Sequence, residues 1–478
     1  MFIKICDDIL FRKYDEYGYI TDNSEFGYRL LSDNRPVRGE KFVSQSGAVM
    51  LSVLDRVPKH IDDIVNELFK IFIGVDKETL KVDAIEFFQY FFDKGYLSIG
   101  ETYQECKDRI FLKGDDSQDI QQSISMIGSE DCIKNIFKAN ELLRSIHIEV
   151  ANICNERCVH CYIPHEYKNN IINSELFYKI IETGRKMNII HVTLSGGEPL
   201  LHPDIIEFLR KCRKMDLSVN VLSNLTVLND EIITEMKQNP LLSVQTSIYS
   251  MNAEIHDSIT KLNGSFEKTI KGLEILSSRG IPVQISCPIM KQNRESFIDV
   301  IRWGKKHNIA VAIEPVIFAS YDHTGKNLSH RLSLEEMERT IDLELSEGYA
   351  EQLYEIAKEK EGFTENDPIC SICRYSFCIS VLGDVYSCVG WQTNILGNLK
   401  NQSLQDIWEN SEKIKYLRQI KRKEFPKCVS CEDRGYCTVC MMSNSNENQN
   451  GDAFKIEDFH CSVAKIIHKK VKTYCEGD

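Results

Sequence analysis

The chain has 478 residues, 42% hydrophobic and 27% charged, the proportions of ordinary folded protein, and its length suits about three domains. A formal net charge of -13 argues against a nucleic-acid partner, and the sequence holds no apolar run of about 18 residues or more, so no membrane span is expected. No signal-peptide pattern opens at Met1, which predicts a cytoplasmic protein; of its eighteen cysteines, those clustered at Cys154–Cys161 and between Cys370 and Cys440 are expected to be metal ligands rather than a disulfide framework.

Residues 1–100 predict a small α+β unit. Phe2-Ile-Lys-Ile-Cys6 and Ile9-Leu-Phe-Arg-Lys-Tyr14 alternate as strands around an Asp7-Asp8 turn, helical spacing follows over Gly47 to Leu54, Ile61 to Phe72 and Asp76 to Phe92, and Gly95-Tyr-Leu-Ser-Ile99 closes as a strand. This order resembles a winged-helix fold and is similar to the PqqD-like domains that recognise peptide leaders. The resemblance implies a leader that adds a strand to an open sheet edge. Thirteen Lys and Arg against seventeen Asp and Glu disfavour the DNA-binding alternative, and a scaffold role is the other reading. Residues 101–144, with the polar stretch Ser117 to Ser125, predict a linker.

From residue 145 to about 335, six strand-like runs alternate with amphipathic helices: Ile146–Val150, Ile190–Leu194, Leu217–Leu222, Leu242–Ser247, Val283–Cys287 and Ala310–Glu314. Such βα units predict a parallel sheet with right-handed crossovers and ligands at the strand carboxyl ends. Directly after the first strand comes Cys154-Asn-Glu-Arg-Cys158-Val-His-Cys161. Three thiols at C-x3-C-x2-C can each hold one iron of a [4Fe-4S] cluster and leave the fourth iron open. A structural zinc would need a fourth ligand nearby, for which only His160 is at hand. After the second strand, Ser195-Gly-Gly-Glu-Pro199 combines two glycines that allow close backbone approach with a carboxylate able to accept from an ammonium group.

Together these motifs resemble the radical SAM superfamily, which implies a partial (β/α)6 barrel and S-adenosylmethionine (SAM) chelating the open iron. The resemblance implies that His160 packs near the adenine and that Ser195, Gly196, Gly197 and Glu198 seat the SAM amino group. Ser223, Asn224 and Ser247, at the ends of strands three and four, then contact its ribose or carboxylate, or simply cap helices. His256 and Asp257 belong either to the cavity rim or to surface structure. Cys287, at the end of strand five, is either a core thiol or a hydrogen-atom donor facing the barrel centre, and Cys212 reads as a helix residue.

Residues 336–365 form a helical bridge opened by an N-cap at Ser333. Residues 366–478 carry Cys370-x2-Cys373-x4-Cys378, then Gly383-x4-Cys388, Cys428-x2-Cys431-x5-Cys437-x2-Cys440 and Cys461, with a hairpin turning at Gly383-Asp384. The pattern resembles the SPASM extension of radical SAM enzymes, departing from it by an x2 spacing before Cys440. Carried over, Cys428, Cys431, Cys437 and Cys461 hold an outer auxiliary cluster and Cys370, Cys373, Cys388 and Cys440 an inner one, with Cys378 able to replace Cys373. Two zinc ions are the alternative.

As a whole the chain resembles SPASM maturases of ribosomally synthesised peptides, in particular the thioether-forming sactipeptide and ranthipeptide synthases. This implies SAM with three [4Fe-4S] clusters, a leader-bearing precursor peptide, and a low-potential electron donor such as flavodoxin or ferredoxin. Carbon–carbon cross-linking, epimerisation, anaerobic sulfatase maturation and a non-catalytic electron carrier are the competing readings.

Overall fold

The structure, a computed structural model, describes residues 1–22, 24, 37–110 and 130–476. The first unit holds two small antiparallel sheets. Strands β1 (Phe2–Ile5), β5 (Lys59–His60) and β6 (Leu97–Gly100) form one in the order β5-β1-β6, and β2 (Leu10–Lys13), β3 (Tyr17–Thr21) and β4 (Glu40–Ser44) form the other. Helices Gln45–Ser52, Ile61–Phe69 and Lys77–Asp93 pack on them through Leu51, Ile64, Leu68, Phe87 and Phe88. The strands around Asp7-Asp8, expected to pair with each other, belong to different sheets, and β3 and β4 were not legible as strands. The reason is visible in β3, which is buried along its entire length. Ile20 faces the helices of this unit, while Tyr17 and Tyr19 face a second cluster with Phe42 and Phe137, so no polar face alternates with the apolar one.

The Ser117 to Ser125 stretch lies outside the described residues. Both flanks of the expected linker are helical: Tyr103–Asp108 is capped by Thr102, and Glu130–Ala139 inserts Phe137 between Tyr19 and Phe42.

Six parallel strands follow: β7 (Ser145–Ala151), β8 (His191–Gly196), β9 (Ser218–Leu222), β10 (Leu242–Ser247), β11 (Val283–Pro288) and β12 (Ala310–Glu314). They lie side by side in chain order, each followed by helical segments such as Ser174–Lys186 and Ile205–Lys214, as the periodicity predicts. Their outward residues, including Ile148, Leu194, Val221, Val244 and Ile285, build the main core. Their inward residues are polar: register pairs run His147–Thr193–Asn220–Ser243 and Glu149–Ser195 on one side, and Gln245–Gln284 and Ser247–Ser286 on the other.

The sheet does not end with the barrel. Strands β13 (Ser376–Ile379), β14 (Asp384–Tyr386) and β15 (Ile395–Asn398) extend it to nine, with β13 parallel to β7 in the register Phe377↔Ile146 and the hairpin turning at Gly383, φ 84°. The cysteine-rich segment is therefore welded to the first barrel strand. The bridge opens as expected, with a Ser333–Glu336 capping box on helix Leu334–Glu344.

At the opposite pole the first unit docks against the amino ends of the barrel strands. Fully buried Arg12 donates to Ile189 O at 3.0 Å and to Asp216 Oδ2 at 2.9 Å, and Arg56 takes the other Asp216 oxygen. Although burial opposes it, the two guanidinium groups hold the Asp216 carboxyl below its ordinary pKa. Among the described residues, no helix is long and apolar enough to cross a membrane.

Candidate active site

The Cys154–Cys161 loop leaves β7 at the carboxyl end of the barrel and is pinned from three sides. Arg157 N donates to Thr260 O at 2.8 Å and Val159 N to Ile259 O at 3.0 Å, both at the end of helix Ala253–Thr260, while Asn327 Nδ2 donates to His160 O at 3.0 Å. These bonds orient the loop so that Cys154, Cys158 and Cys161 all line one cavity of about 400 Å3. The same cavity is lined by His160, Ser195, Gly196, Gly197, Ser223, Asn224 and Ser247, so all but one of the expected SAM contacts meet there. That volume lies within the usual range for small-ligand sites.

Glu198 is the exception. Its side chain is fully buried and does not line the cavity; the carboxylate accepts from Leu200 N at 3.0 Å, Ser223 Oγ at 2.8 Å and Asn224 N at 2.7 Å. These bonds tie the β8 turn to the β9 turn. Burial pushes its pKa up to about 7 against the pull of these donors. The glycines also serve the protein before any ligand. A Cβ on Gly196, at φ 133°, would be driven into Ala151 O, and one on Gly197 into the carbonyls of Asn152 and Ile153. Close approach lets Gly197 N donate to Ala151 O at 2.7 Å and Glu198 N to Ile153 O at 2.8 Å, which sets the height of the cysteine loop. Gly197→Ala is accordingly expected to displace the loop. Anaerobic reconstitution followed by iron analysis should show the first cluster lost or under-occupied while the iron of the C-terminal segment stays.

Several cavity residues carried no signal in the sequence. Lys168 Nζ donates to Cys161 Sγ at 3.2 Å; although burial lowers its pKa, the charges of Cys161, Cys154 and Cys158 carry it above its ordinary value. Glu156 is pushed by burial up to about 7 and accepts from Cys158 Sγ at 3.2 Å. His160 packs edge-on against Tyr249 with ring centroids 5.1 Å apart, and burial lowers its pKa to about 4, so it is neutral at pH 7. Its buried Nδ1 has no protein partner, and neither has the buried Oγ1 of Thr246, which also lines the cavity. Opposite the cysteine loop stand Gln245, Ser286 and Glu314, whose carboxylate accepts from Ser286 Oγ at 2.9 Å. These inward polar residues could be found only once the register was known.

Other candidates lie elsewhere. Cys287 shares the outward apolar face of β11 with Val283 and Ile285, is fully buried in the main core, and does not line the cavity. His256 accepts from Tyr249 N at 3.4 Å, and Asp257 caps Gly264 and Phe266; neither lines the cavity. Cys212 is a buried residue of helix Ile205–Lys214.

The C-terminal segment brings two sets of thiols together. Burial first, then the charges of Cys461, Cys428 and Cys431, push the Cys437 thiol up to about 11, which places these four in mutual reach. Burial likewise pushes Cys388 up to about 11, with Cys440 and Cys370 adding to it, and Cys373 up to about 12, with Cys370 and Cys388 adding to it. The Cys378 thiol is also raised, by burial and then by Cys388, Glu149 and Cys373. Cys373 holds φ 54°, in the left-handed region, and its carbonyl accepts from Arg418 Nε at 2.7 Å. The two regions touch: Val389 and Gly390, just after Cys388, and Met442, just after Cys440, complete the cavity wall. Buried Glu149 on β7 accepts from Gln392 Nε2, which ties that wall to the first barrel strand.

Three soft thiol donors around a roomy cavity fit a cluster that is completed by a chelating ligand. Among the described residues, no three His, Cys, Asp or Glu side chains converge as ligands of one metal ion would. Thiols that each hold a different iron stand farther apart.

Residues 148–304 match the model of the radical SAM superfamily, and residues 370–432 match the SPASM iron–sulfur cluster-binding domain. Over 324 residues the chain is 28% identical to an AdoMet-dependent heme synthase of Methanosarcina barkeri, covering 62% of this chain and 90% of that one. It is 25% identical over 319 residues to the antilisterial bacteriocin subtilosin biosynthesis protein AlbA of Bacillus subtilis, covering 65% and 70%. The crystal structure of Streptococcus suis SuiB bound to the precursor peptide SuiA superposes with a TM-score of 0.59 over 95% of this chain and 99% of that one, at 15% identity, a likeness of fold. With the three-thiol loop and the cavity at the carboxyl ends of a parallel barrel, the chain carries a radical SAM domain and a SPASM domain, and it is an enzyme that cleaves SAM at a [4Fe-4S] cluster and holds auxiliary clusters.

Proposed function

We propose that this enzyme modifies a ribosomally synthesised precursor peptide and that the bond it installs is a thioether between a peptide Cys and a carbon of another residue. The observation that carries the reading is the composite cavity, with the three-thiol loop on one wall and the segments after Cys388 and Cys440 on another. A substrate held there lies between the site that generates the radical and the inner auxiliary set. When bound, the first cluster and SAM supply a 5'-deoxyadenosyl radical that takes a hydrogen atom from a substrate carbon. Forming the thioether removes, besides that hydrogen atom, one thiol proton and one electron, and an adjacent auxiliary cluster is a suitable acceptor for the electron.

In this reading Cys154, Cys158 and Cys161 ligate the first cluster, Cys428, Cys431, Cys437 and Cys461 the outer one, and Cys370, Cys373, Cys388 and Cys440 the inner one. Cys373 is preferred to Cys378 because it is in reach of two of the other three thiols. Ser195, Ser223, Asn224 and Ser247 contact SAM, and Gly196 and Gly197 shape its seat. The likeness to AlbA, whose name ties it to a bacteriocin, and to SuiB, crystallised with a precursor peptide, supports a peptide substrate. Epimerisation with Cys287 as donor loses its support, since that thiol faces the outer core. The first unit binds the leader and holds the core peptide near the barrel at an effective concentration of about the millimolar range.

The test uses the full chain and a Cys-containing peptide encoded beside its gene. A loss of two hydrogens with a blocked thiol supports the thioether; an unchanged mass with deuterium taken up from D2O overturns it. Deleting residues 1–100 is expected to abolish modification of the leader-bearing peptide while 5'-deoxyadenosine still forms. Undiminished modification would favour a sulfatase-maturing type of substrate instead.

A further inference from the structure

In a chain of net charge -13, residues 412–427 hold seven Lys and Arg against two Glu. The run ends beside Cys428, and Lys427 lies within electrostatic reach of both Cys428 and Cys461. Helix Asp458–Glu476 carries Cys461, the fourth thiol of that set. Cys461, Lys465, Lys469 and Lys472 recur on it at spacings of four, four and three, so they share one face, and all four are exposed. Lys423 and Lys427 are exposed as well, and none of these five lysines is in a salt bridge among the described residues. The contrast with Lys470, off that face and paired with Glu338 at 3.2 Å and Asp342 at 2.8 Å, shows that structural lysines here find carboxylates. A shallow cleft lined by Lys360, Phe363, Arg422 and Arg434 opens next to Cys428.

A lysine stripe alone is ordinarily a solvated face. This one converges on the exposed thiol of a four-thiol set, the member of the chain's redox machinery nearest to solvent. We propose that the surface formed by Lys423, Lys427, Lys465, Lys469 and Lys472 is the docking face for an acidic one-electron carrier protein, which exchanges electrons through the outer cluster. The proposal rests on Cys428, Cys431, Cys437 and Cys461 holding that cluster. Transient redox encounters bury little area and depend on charge steering for their rate, which suits an unpaired basic rim around one exposed ligand.

The test is stopped-flow mixing of the anaerobically reconstituted full chain with a recombinant acidic flavodoxin reduced to its hydroquinone. Each transfer oxidises one hydroquinone to the semiquinone and reduces one cluster by one electron. The bimolecular rate constant is expected to fall at least about tenfold in the variant Lys423→Glu/Lys427→Glu/Lys465→Glu/Lys469→Glu, and to fall more mildly in the corresponding Gln variant. For the native chain it should drop steeply between about 50 and about 500 mM NaCl, and for the Glu variant it should not. Iron content and reduction by dithionite serve as the folding control and should match the native chain in both variants. Equal flavodoxin rates in native and variant chains, or a native rate indifferent to salt, overturn the docking face. Zinc without labile sulfide at the outer site overturns the cluster reading, and the proposal falls with it, whereas intact iron with unchanged rates overturns the docking face alone.

Discussion

Cys158→Ala is expected to reduce 5'-deoxyadenosine formation to background and to lower the iron content by about four per chain, while the auxiliary iron remains. In the proposed ligand set each thiol of the loop would hold a different iron, so losing one would leave a second iron open and the cubane unsupported. Cys158 is the informative choice because its thiol has the closest protein surroundings, with Glu156 at 3.2 Å and Tyr249 Oη at 3.9 Å, yet the loop itself is held by backbone bonds of Arg157 and Val159 that the substitution keeps. The fold should therefore survive, and circular dichroism alongside iron and sulfide analysis checks that. Background activity with full iron would remove Cys158 from the ligand set. The counterpart, Cys461→Ala, should leave SAM cleavage intact and lower only the auxiliary iron.

The second large effect concerns the joint between barrel and SPASM domain. Arg331 donates through Nε and Nη2 to Ile317 O at 3.0 and 2.6 Å, and through Nη1 and Nη2 to the two Glu447 oxygens at 2.8 and 2.6 Å, with both side chains buried. Ile317 lines the cavity, and Glu447 ends the helix Met441–Glu447 that supplies Met442 to the same wall. Arg331→Met leaves a buried carboxylate with only His460 and Ser443 as partners and is expected to cost about 3–5 kcal/mol locally. Loss of hydrogen-exchange protection in helix Met441–Glu447 would report it, and Glu447→Gln, which keeps part of the bonding, should cost less.

The pH dependence of this joint has a definite sign. Burial raises the Glu447 pKa, but the bonds and charges of Arg331 and His460 outweigh it and bring the carboxyl from an ordinary 4.5 down to about 2. A carboxyl whose folded pKa is depressed contributes fully above its unfolded value and loses that contribution as pH falls toward the folded one. The gap in protection between native chain and Arg331→Met should thus be widest above about pH 4.5 and narrow below it. A gap that widens in acid would show that another group governs the joint.

Much of the fold was legible because the residues that specify it are local. The six barrel strands carry an apolar outer face every second residue, and the turns that follow them hold the cysteines and glycines. Ser333 with Glu336 announces its helix by a capping box that spans four residues. The strands β3 and β4 were missed because an element covered on both faces shows no alternation. The helix Glu130–Ala139 went unseen because its one deep anchor, Phe137, makes sense only beside Tyr19 and Phe42. For Glu198 the sequence shows a carboxylate after two glycines, but only the approach of β9 shows Ser223 and Asn224 as its protein partners.

The sequence by itself determined the chemistry of the chain, since three thiols at a short spacing can meet one cluster whatever surrounds them, and the same holds for the paired C-x2-C steps further on. The tertiary structure alone decided which residues share a cavity. β13 pairs with β7 across more than two hundred residues, bringing Gly390 and Met442 to the cavity that Cys154 lines, and Lys168 reaches Cys161. Docking at the amino ends of the barrel strands likewise set the first unit on the far pole from that cavity, through Arg12 and Arg56 on Asp216 and an apolar cluster that includes Ile190 and Leu241. Such contacts depend on sheet register and on which face a strand turns inward, and a one-residue slip would reverse that face while leaving the motifs unchanged.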